Sequence, residues 1–157
     1  MNLSSLVALY ARLGSLLDHG QSPLLLLLRL HWGYQFVLTG VGKLQNLERT
    51  AAFFADLGIP APMINAAFAG ATEAGGGALL FLGLGSRIAA VPLIGTMCVA
   101  YATAHTEELT GIFSDPDTFT SAPPFLFLLT SLVVLVFGPG RYSLDAVLAA
   151  RTATTTH

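Results

Sequence analysis

The chain has 157 residues, of which 54% are hydrophobic and only 10% charged, with a formal net charge of −2. A soluble domain usually carries about 25% charged residues, and a fold of ~150 residues hides only about 70% of its chain surface, so the composition excludes a disordered chain and argues for a membrane protein. A single cysteine, Cys98, excludes an internal disulfide, a CxxC redox pair and a thiolate-held iron–sulfur cluster, and the charge gives no basic footprint for nucleic acid.

The first 22 residues carry Leu3, Leu6, Val7, Tyr10, Leu13 and Leu17 at helical spacing, with Ser4, Ser5, Arg12 and Asp18 elsewhere. This pattern predicts an amphipathic helix lying on a membrane surface. Four stretches then suit a hydrocarbon core of ~30 Å: Pro23 to Leu44, Pro62 to Leu84, Ile88 to His105, and the short stretch Pro123 to Phe137. Pro23, Pro62 and Pro123 stand where helices begin, a place that needs no backbone N–H. Lys43, Gly83 with Gly85, and Gly138-Pro139-Gly140 punctuate the ends. The expected fold is all-α: a four-helix transmembrane bundle over residues 23–145, preceded by the surface helix of residues 1–22 and followed by a cytoplasmic tail, 146–157.

With four spans both termini share a side. That side holds Arg12, Arg87, Arg141 and Arg151, against Lys43 and Arg49 on the other. The positive-inside rule places the termini in the cytoplasm. The acidic connection from Thr106 to Ala122, with Asp115-Pro116-Asp117, then faces outward, and as the longest connection it is the place to cover a site or meet a partner.

In the second span Ala66, Gly70, Ala74 and Ala78 recur every four residues, beside a parallel row of Ala67, Ala71 and Gly75. Small residues let membrane helices approach closely, within one chain or between copies in a homo-oligomer. Pro92 is expected to bend or loosen the third span.

Ionisable groups at depth need a partner or a task, because each costs ~2.5–3.5 kcal/mol to insert. Arg29 lies about 9 Å and His31 about 12 Å past Pro23, and Glu73 about 16 Å past Pro62. Arginine reaches further still by snorkelling, so Arg29 is expected to meet Glu73. Such a pair either holds two helices or builds a ligand site. His31 points about 200° away from Arg29 and shares a face with Tyr34 and Gln35. Tyr101 and His105 form a strip on the third span. Lys43 and His105 end at the outer boundary, with Glu107 and Glu108 nearby. No HxxxH or HExxH spacing supports a metal there. His31 and His105 fall on opposite halves, which argues against a bis-histidine haem.

Several elements in order resemble the DoxX family of small bacterial four-helix membrane proteins. They are Leu28-Arg29-Leu30, Gly40-Val41-Gly42-Lys43-Leu44, Phe53-Phe54 to Leu57-Gly58-Ile59-Pro60, Glu73-Ala74-Gly75-Gly76-Gly77, Leu82-Gly83-Leu84-Gly85-Ser86-Arg87, and the closing stretch Gly138 to Asp145. The resemblance covers roughly residues 24 to 145. It implies redox work at the bacterial inner membrane, since some members are described as subunits of quinone-linked oxidoreductases. It maps family positions onto Arg29, Lys43, Glu73 and His105. The expectation is a quinone-type pocket or a docking site offered to a partner oxidoreductase, with Glu73 and Arg29 as the reactive pair and His31, Tyr34, Tyr101, His105 and Lys43 binding ligand. No haem, flavin or iron–sulfur cluster is indicated. The competing expectations are a non-catalytic anchor and a carrier of lipid or a small molecule.

Overall fold

The structure, a computed structural model, describes residues 3–154, without the side chains of 3–5, 8, 9, 11, 15, 16, 153 and 154. The ends of the expected surface helix and tail, and the faces assigned to Leu3, Ser4 and Ser5, lie outside the described residues. Among those described the chain is all helical: α1 (Leu3–Gln45), α2 (Leu47–Asp56), α3 (Pro62–Leu82), α4 (Ser86–Thr103), α5 (Thr106–Thr110), α6 (Pro116–Ser121), α7 (Pro124–Phe137) and α8 (Leu144–Thr154).

The start and stop signals explain most of these bounds. α3 opens on Pro62 and α7 on Pro124. Gly83 and Gly85 take positive φ and make the tight α3–α4 turn, a conformation that costs a residue with a Cβ. Pro23 is the exception. It lies inside α1, where its missing N–H removes one hydrogen bond without ending the helix. The leucines that follow are strong helix formers, and α3 supports the helix beyond them. The expected surface helix is therefore the first half of one 43-residue helix. At about 65 Å that helix is twice the thickness of a hydrocarbon core. The connection after α1, expected as a linker, forms α2, whose Ala51 is buried. The stretch expected as a tail is helical to Thr154.

α1 and α3 run antiparallel and make the most extensive contact. Glycines set its register. A Cβ on Gly77 would lie 2.6 Å from the Cβ of Phe36, and one on Gly33 would lie 2.8 Å from the Phe81 nitrogen. Gly40 meets Ala74, and Gly70 meets Leu44. The stripe of α3 that is buried is Ala66, Gly70, Glu73, Gly77 and Leu80. This corrects the expected every-fourth-residue face: Ala71 and Ala78 are exposed. α4 packs on α3 and α7, and Phe36, Leu80, Leu93, Met97 and Val134 close the core.

The outward faces are apolar. Leu24, Leu27, Ile88, Val136 and Phe137 are all exposed, an arrangement that suits lipid and is unusual on a soluble monomer. Two stretches, Arg12–Gln45 and Ser86–Thr103, are long and apolar enough to cross a membrane. α3 has the length, 21 residues, but carries Asn65, Thr72, Glu73 and several glycines. α7 is apolar but has 14 residues, about 21 Å of helix.

Candidate functional site

Two polar centres lie at opposite ends of the α1–α3 contact. At one end α1 finishes beside the middle of α3, near the end of α4 and the start of α7. Here Lys43 Nζ donates to Glu73 Oε2 at 2.5 Å, with the lysine side chain 29% exposed and the glutamate 4%. Glu73 lies on the buried stripe of α3, so it looks toward α1. The glycine register places it level with Gly40, within reach of a lysine less than one turn further on.

This ion pair forms part of the wall of a cavity of about 590 Å³. α2 and its following loop contribute Phe53, Phe54 and Leu57; α3 contributes Asn65, Phe68 and Ala69; α4 contributes Pro92, Thr96 and Ala100; α7 contributes Phe127. His105, just past the end of α4, also lines it. Its Nδ1 sits 3.1 Å from Glu108 Oε1. That hydrogen bond, helped by a backbone N–H, holds the Glu108 carboxyl below the usual glutamate range. The hollow is mostly apolar, with a few polar groups in its wall, which is the usual make-up of a small-molecule site.

The other centre is built on Arg29, which is fully buried. Its Nη2 donates to the Tyr142 carbonyl at 2.6 Å, and the guanidinium lies against Gly83. Asp145 binds the same turn from the other side. Its carboxylate accepts from Gly85 N at 2.8 Å and Ser86 N at 3.3 Å, and its own N–H donates to Gly83 O at 3.0 Å. Arg29 and the closing Tyr142-Ser143-Leu144-Asp145 segment thus clasp the α3–α4 turn and start α4.

The expected Arg29–Glu73 pair is therefore corrected. In the antiparallel register Arg29 stands level with Gly83, some 15 Å of helix from Glu73, and Lys43 takes its place. His31 and Tyr34 are also apart from the cavity. Both are exposed, and the His31 ring packs edge-on to Trp32 at 4.9 Å. Tyr101 is buried, but its hydroxyl donates to the Phe119 carbonyl at 2.9 Å and its ring stacks on Phe119 at 4.8 Å. It fastens the α5–α6 segment to α4. Of the expected residues, Lys43, Glu73 and His105 share the cavity. Sequence reasoning missed Asn65, Thr96 and the α2 aromatics. The helical spacing of Leu47, Ala51 and Phe54 was the available signal for α2.

Residues 24–106 match the DoxX family profile. The chain is 35% identical over 76% of its length, and 83% of the relative's, to "Putative oxidoreductase CatD" of Bacillus subtilis (strain 168). It is 34% identical over 82% of its length to the membrane protein Rv3486 of Mycobacterium tuberculosis (strain ATCC 25618 / H37Rv), covering 83% of it. It is 30% identical over 78% of its length to inner membrane protein YphA of Escherichia coli (strain K12), covering 88% of it. No solved structure matches the chain. These matches make the chain a member of the DoxX family of membrane proteins, a setting that its exposed apolar helix faces suit.

Proposed function

We propose that α1, α3, α4 and α7 cross the bacterial inner membrane as a four-helix bundle with both termini in the cytoplasm. The Lys43–Glu73–His105 cavity at the outer end then binds a quinone-type head group for a partner oxidoreductase. The observation that carries this reading is one half-buried ion pair facing a mostly apolar hollow of about 590 Å³. A pair that only joined two helices would have no need of the hollow. The relative named as an oxidoreductase supports the redox setting.

Reducing a quinone to its quinol takes two electrons and two protons. The electrons come from the partner oxidoreductase. The Lys43 ammonium is a hydrogen-bond donor for a carbonyl oxygen and favours the negative charge that builds there as electrons arrive. Glu73, freed from Lys43, takes up a proton and passes it on as a general acid, and a second proton enters past His105 at the rim. Oxidation of a quinol runs the same transfers backward. The apolar walls from Phe54, Phe68 and Phe127 exclude water and hold the ring by stacking.

The partner docks on the outer segment. Phe113 is 94% exposed there, between Glu107 and Asp115, which suits a partner surface with basic residues around an apolar socket.

The test is mass spectrometry of quinone carried through purification. The wild type and His31→Ala carry it, and Lys43→Met and Glu73→Gln do not. Equal quinone in all four proteins, or none in the wild type after reloading, overturns the reading.

A further inference from the structure

α1 carries a stripe that faces away from the bundle. Before Pro23 it comprises Leu6, Tyr10, Leu13, Leu17 and Gly20; beyond Pro23 it continues through Leu24, Leu27, His31, Tyr34, Leu38 and Val41. The spacing alternates between three and four residues without a break, and Leu3 and Gln45 carry it to both ends of the helix. All of these positions from Leu6 onward are exposed. Such a seven-residue repeat, held well beyond the roughly three to four heptads that mark a coiled coil, belongs to a helix that winds around another. The opposite side of α1 carries Leu25, Arg29, Gly33, Phe36 and Gly40, which are buried in the bundle, and in the first half Arg12, Asp18 and His19.

Two features argue that lipid alone does not cover the stripe. The half of α1 that packs on α3 already suffices to cross a bilayer, so the half before Pro23 extends about 30 Å beyond the hydrocarbon. There the exposed Leu6, Tyr10, Leu13 and Leu17 meet water. In the spanning half the stripe carries His31 and Tyr34, polar side chains that are costly against lipid unless they find a partner. A first half laid down on the bilayer surface would need a bend at Pro23. The helix is continuous there, and Ser22 Oγ accepts from Arg141 N at 3.3 Å, which ties α1 to the end of the bundle at that point. A helix that turned away would also have no reason to keep its apolar stripe in phase with the spanning half.

We infer that α1 pairs with α1 of a second copy of this chain, as a parallel two-stranded coiled coil along its length. Both copies enter the membrane in the same sense, so the pair is parallel about a two-fold axis along the membrane normal. Equivalent positions then face each other. His31 of one copy meets His31 of the other, and a neutral imidazole donates from one nitrogen and accepts at the second, so the two rings satisfy each other inside the seam. A polar residue at such a position fixes register and strand number. The driving force is uneven along the helix. The leucines before Pro23 supply hydrophobic gain in water, whereas the spanning half contributes packing and the His31 and Tyr34 contacts.

The experiment is disulfide cross-linking in native membranes, in a Cys98→Ser background. Leu13→Cys, Leu17→Cys and Leu27→Cys are expected to give linked dimers, and Asp18→Cys and Ile88→Cys, which are exposed off the seam, are not. Leu13→Asp combined with Leu17→Asp places charge in the seam outside the bundle. Energy transfer between labelled copies in vesicles is expected to show dimerisation weakened at least roughly tenfold in that variant, since a buried leucine is worth more than one factor of ten, with the melting of the bundle unchanged. Links at Ile88 as strong as those on the seam, or no energy transfer in the wild type at any protein-to-lipid ratio, overturn the pairing. Links at Leu27 with none at Leu13 and Leu17 place the first half on the bilayer surface and overturn the continuous seam.

Discussion

Lys43 and Glu73 meet across a helix contact whose spacing is set by glycine, at 2.5 Å and with the carboxylate almost wholly out of solvent. The two partners are not equivalent. Glu73 is held in the buried stripe of α3 and meets water only through the cavity, whereas Lys43 is partly exposed and can turn outward.

That asymmetry predicts unequal single variants. Lys43→Met strands a buried carboxylate and is expected to cost about 2–4 kcal/mol, toward the range for broken buried pairs. Glu73→Gln leaves a lysine that can reach water and costs about 1 kcal/mol, the worth of a typical hydrogen bond. The double variant is expected to be more stable than Lys43→Met alone. Thermal unfolding in one detergent checks the order, and a double variant less stable than both singles contradicts it.

The glycine register makes a second prediction. Gly77→Ala and Gly40→Ala each push a methyl into the facing helix and are expected to cost about 1–3 kcal/mol, as overpacking does. Gly75→Ala, where a methyl meets nothing within 4 Å, is expected to stabilise slightly, by about 0.5–1 kcal/mol. Melting curves of the three variants test the contact without reference to any ligand.

Arg29 is assigned to structure and not to the pocket. Asp145→Ala removes the side chain that caps α4, a loss of about 0.5–2 kcal/mol. Arg29→Met leaves the Tyr142 carbonyl without its donor. Both variants are expected to raise hydrogen exchange at Gly83–Ala89 and at Tyr142–Ala146, and neither to change quinone content after correction for folded protein. Unchanged exchange at the α3–α4 turn contradicts the clasp.

The His105–Glu108 contact should respond to acid. Glu108 is held below the ordinary glutamate value chiefly by its hydrogen bond with His105. A depressed carboxylate contributes stability above its unfolded value and loses it as pH falls through the folded one. Exchange of the α5 amides is therefore expected to rise as pH drops below the ordinary glutamate range. In His105→Ala that acid-dependent rise is expected to be largely lost, because the carboxyl is no longer held down and the contact is already absent at neutral pH. Identical acid profiles for the two proteins contradict the link.

Much of this architecture was legible in the residues. Pro62, Gly83, Gly85 and Gly138 mark bounds that the helices respect, and Lys43, Glu73 and His105 stood out as charge or imidazole beside apolar runs. The partner of Glu73 was not legible. Depths counted from Pro23 assume that a helix starts there, but α1 runs through it, so the estimate placed Arg29 too close to Glu73. The true register depends on which glycines face each other, Gly33 and Gly40 against Gly77 and Gly70. Period alone does not decide that, because α3 offers small residues on several faces. Tyr101 and His105 do share one strip, with their rings edge-on at 6.2 Å, but period alone did not show that a stacked Phe119 takes the Tyr101 hydroxyl.

A quinone head bound beside the ion pair would lie where the single tryptophan can report it. Trp32 packs edge-on to Phe127 at 4.9 Å, and Phe127 lines the cavity. Titration of the purified protein with a tail-less benzoquinone, read by Trp32 fluorescence, is expected to quench saturably. Lys43→Met should weaken the midpoint roughly tenfold or more, the equivalent of one lost charge-assisted hydrogen bond. Linear, unsaturating quenching of equal slope in the two proteins would contradict the account.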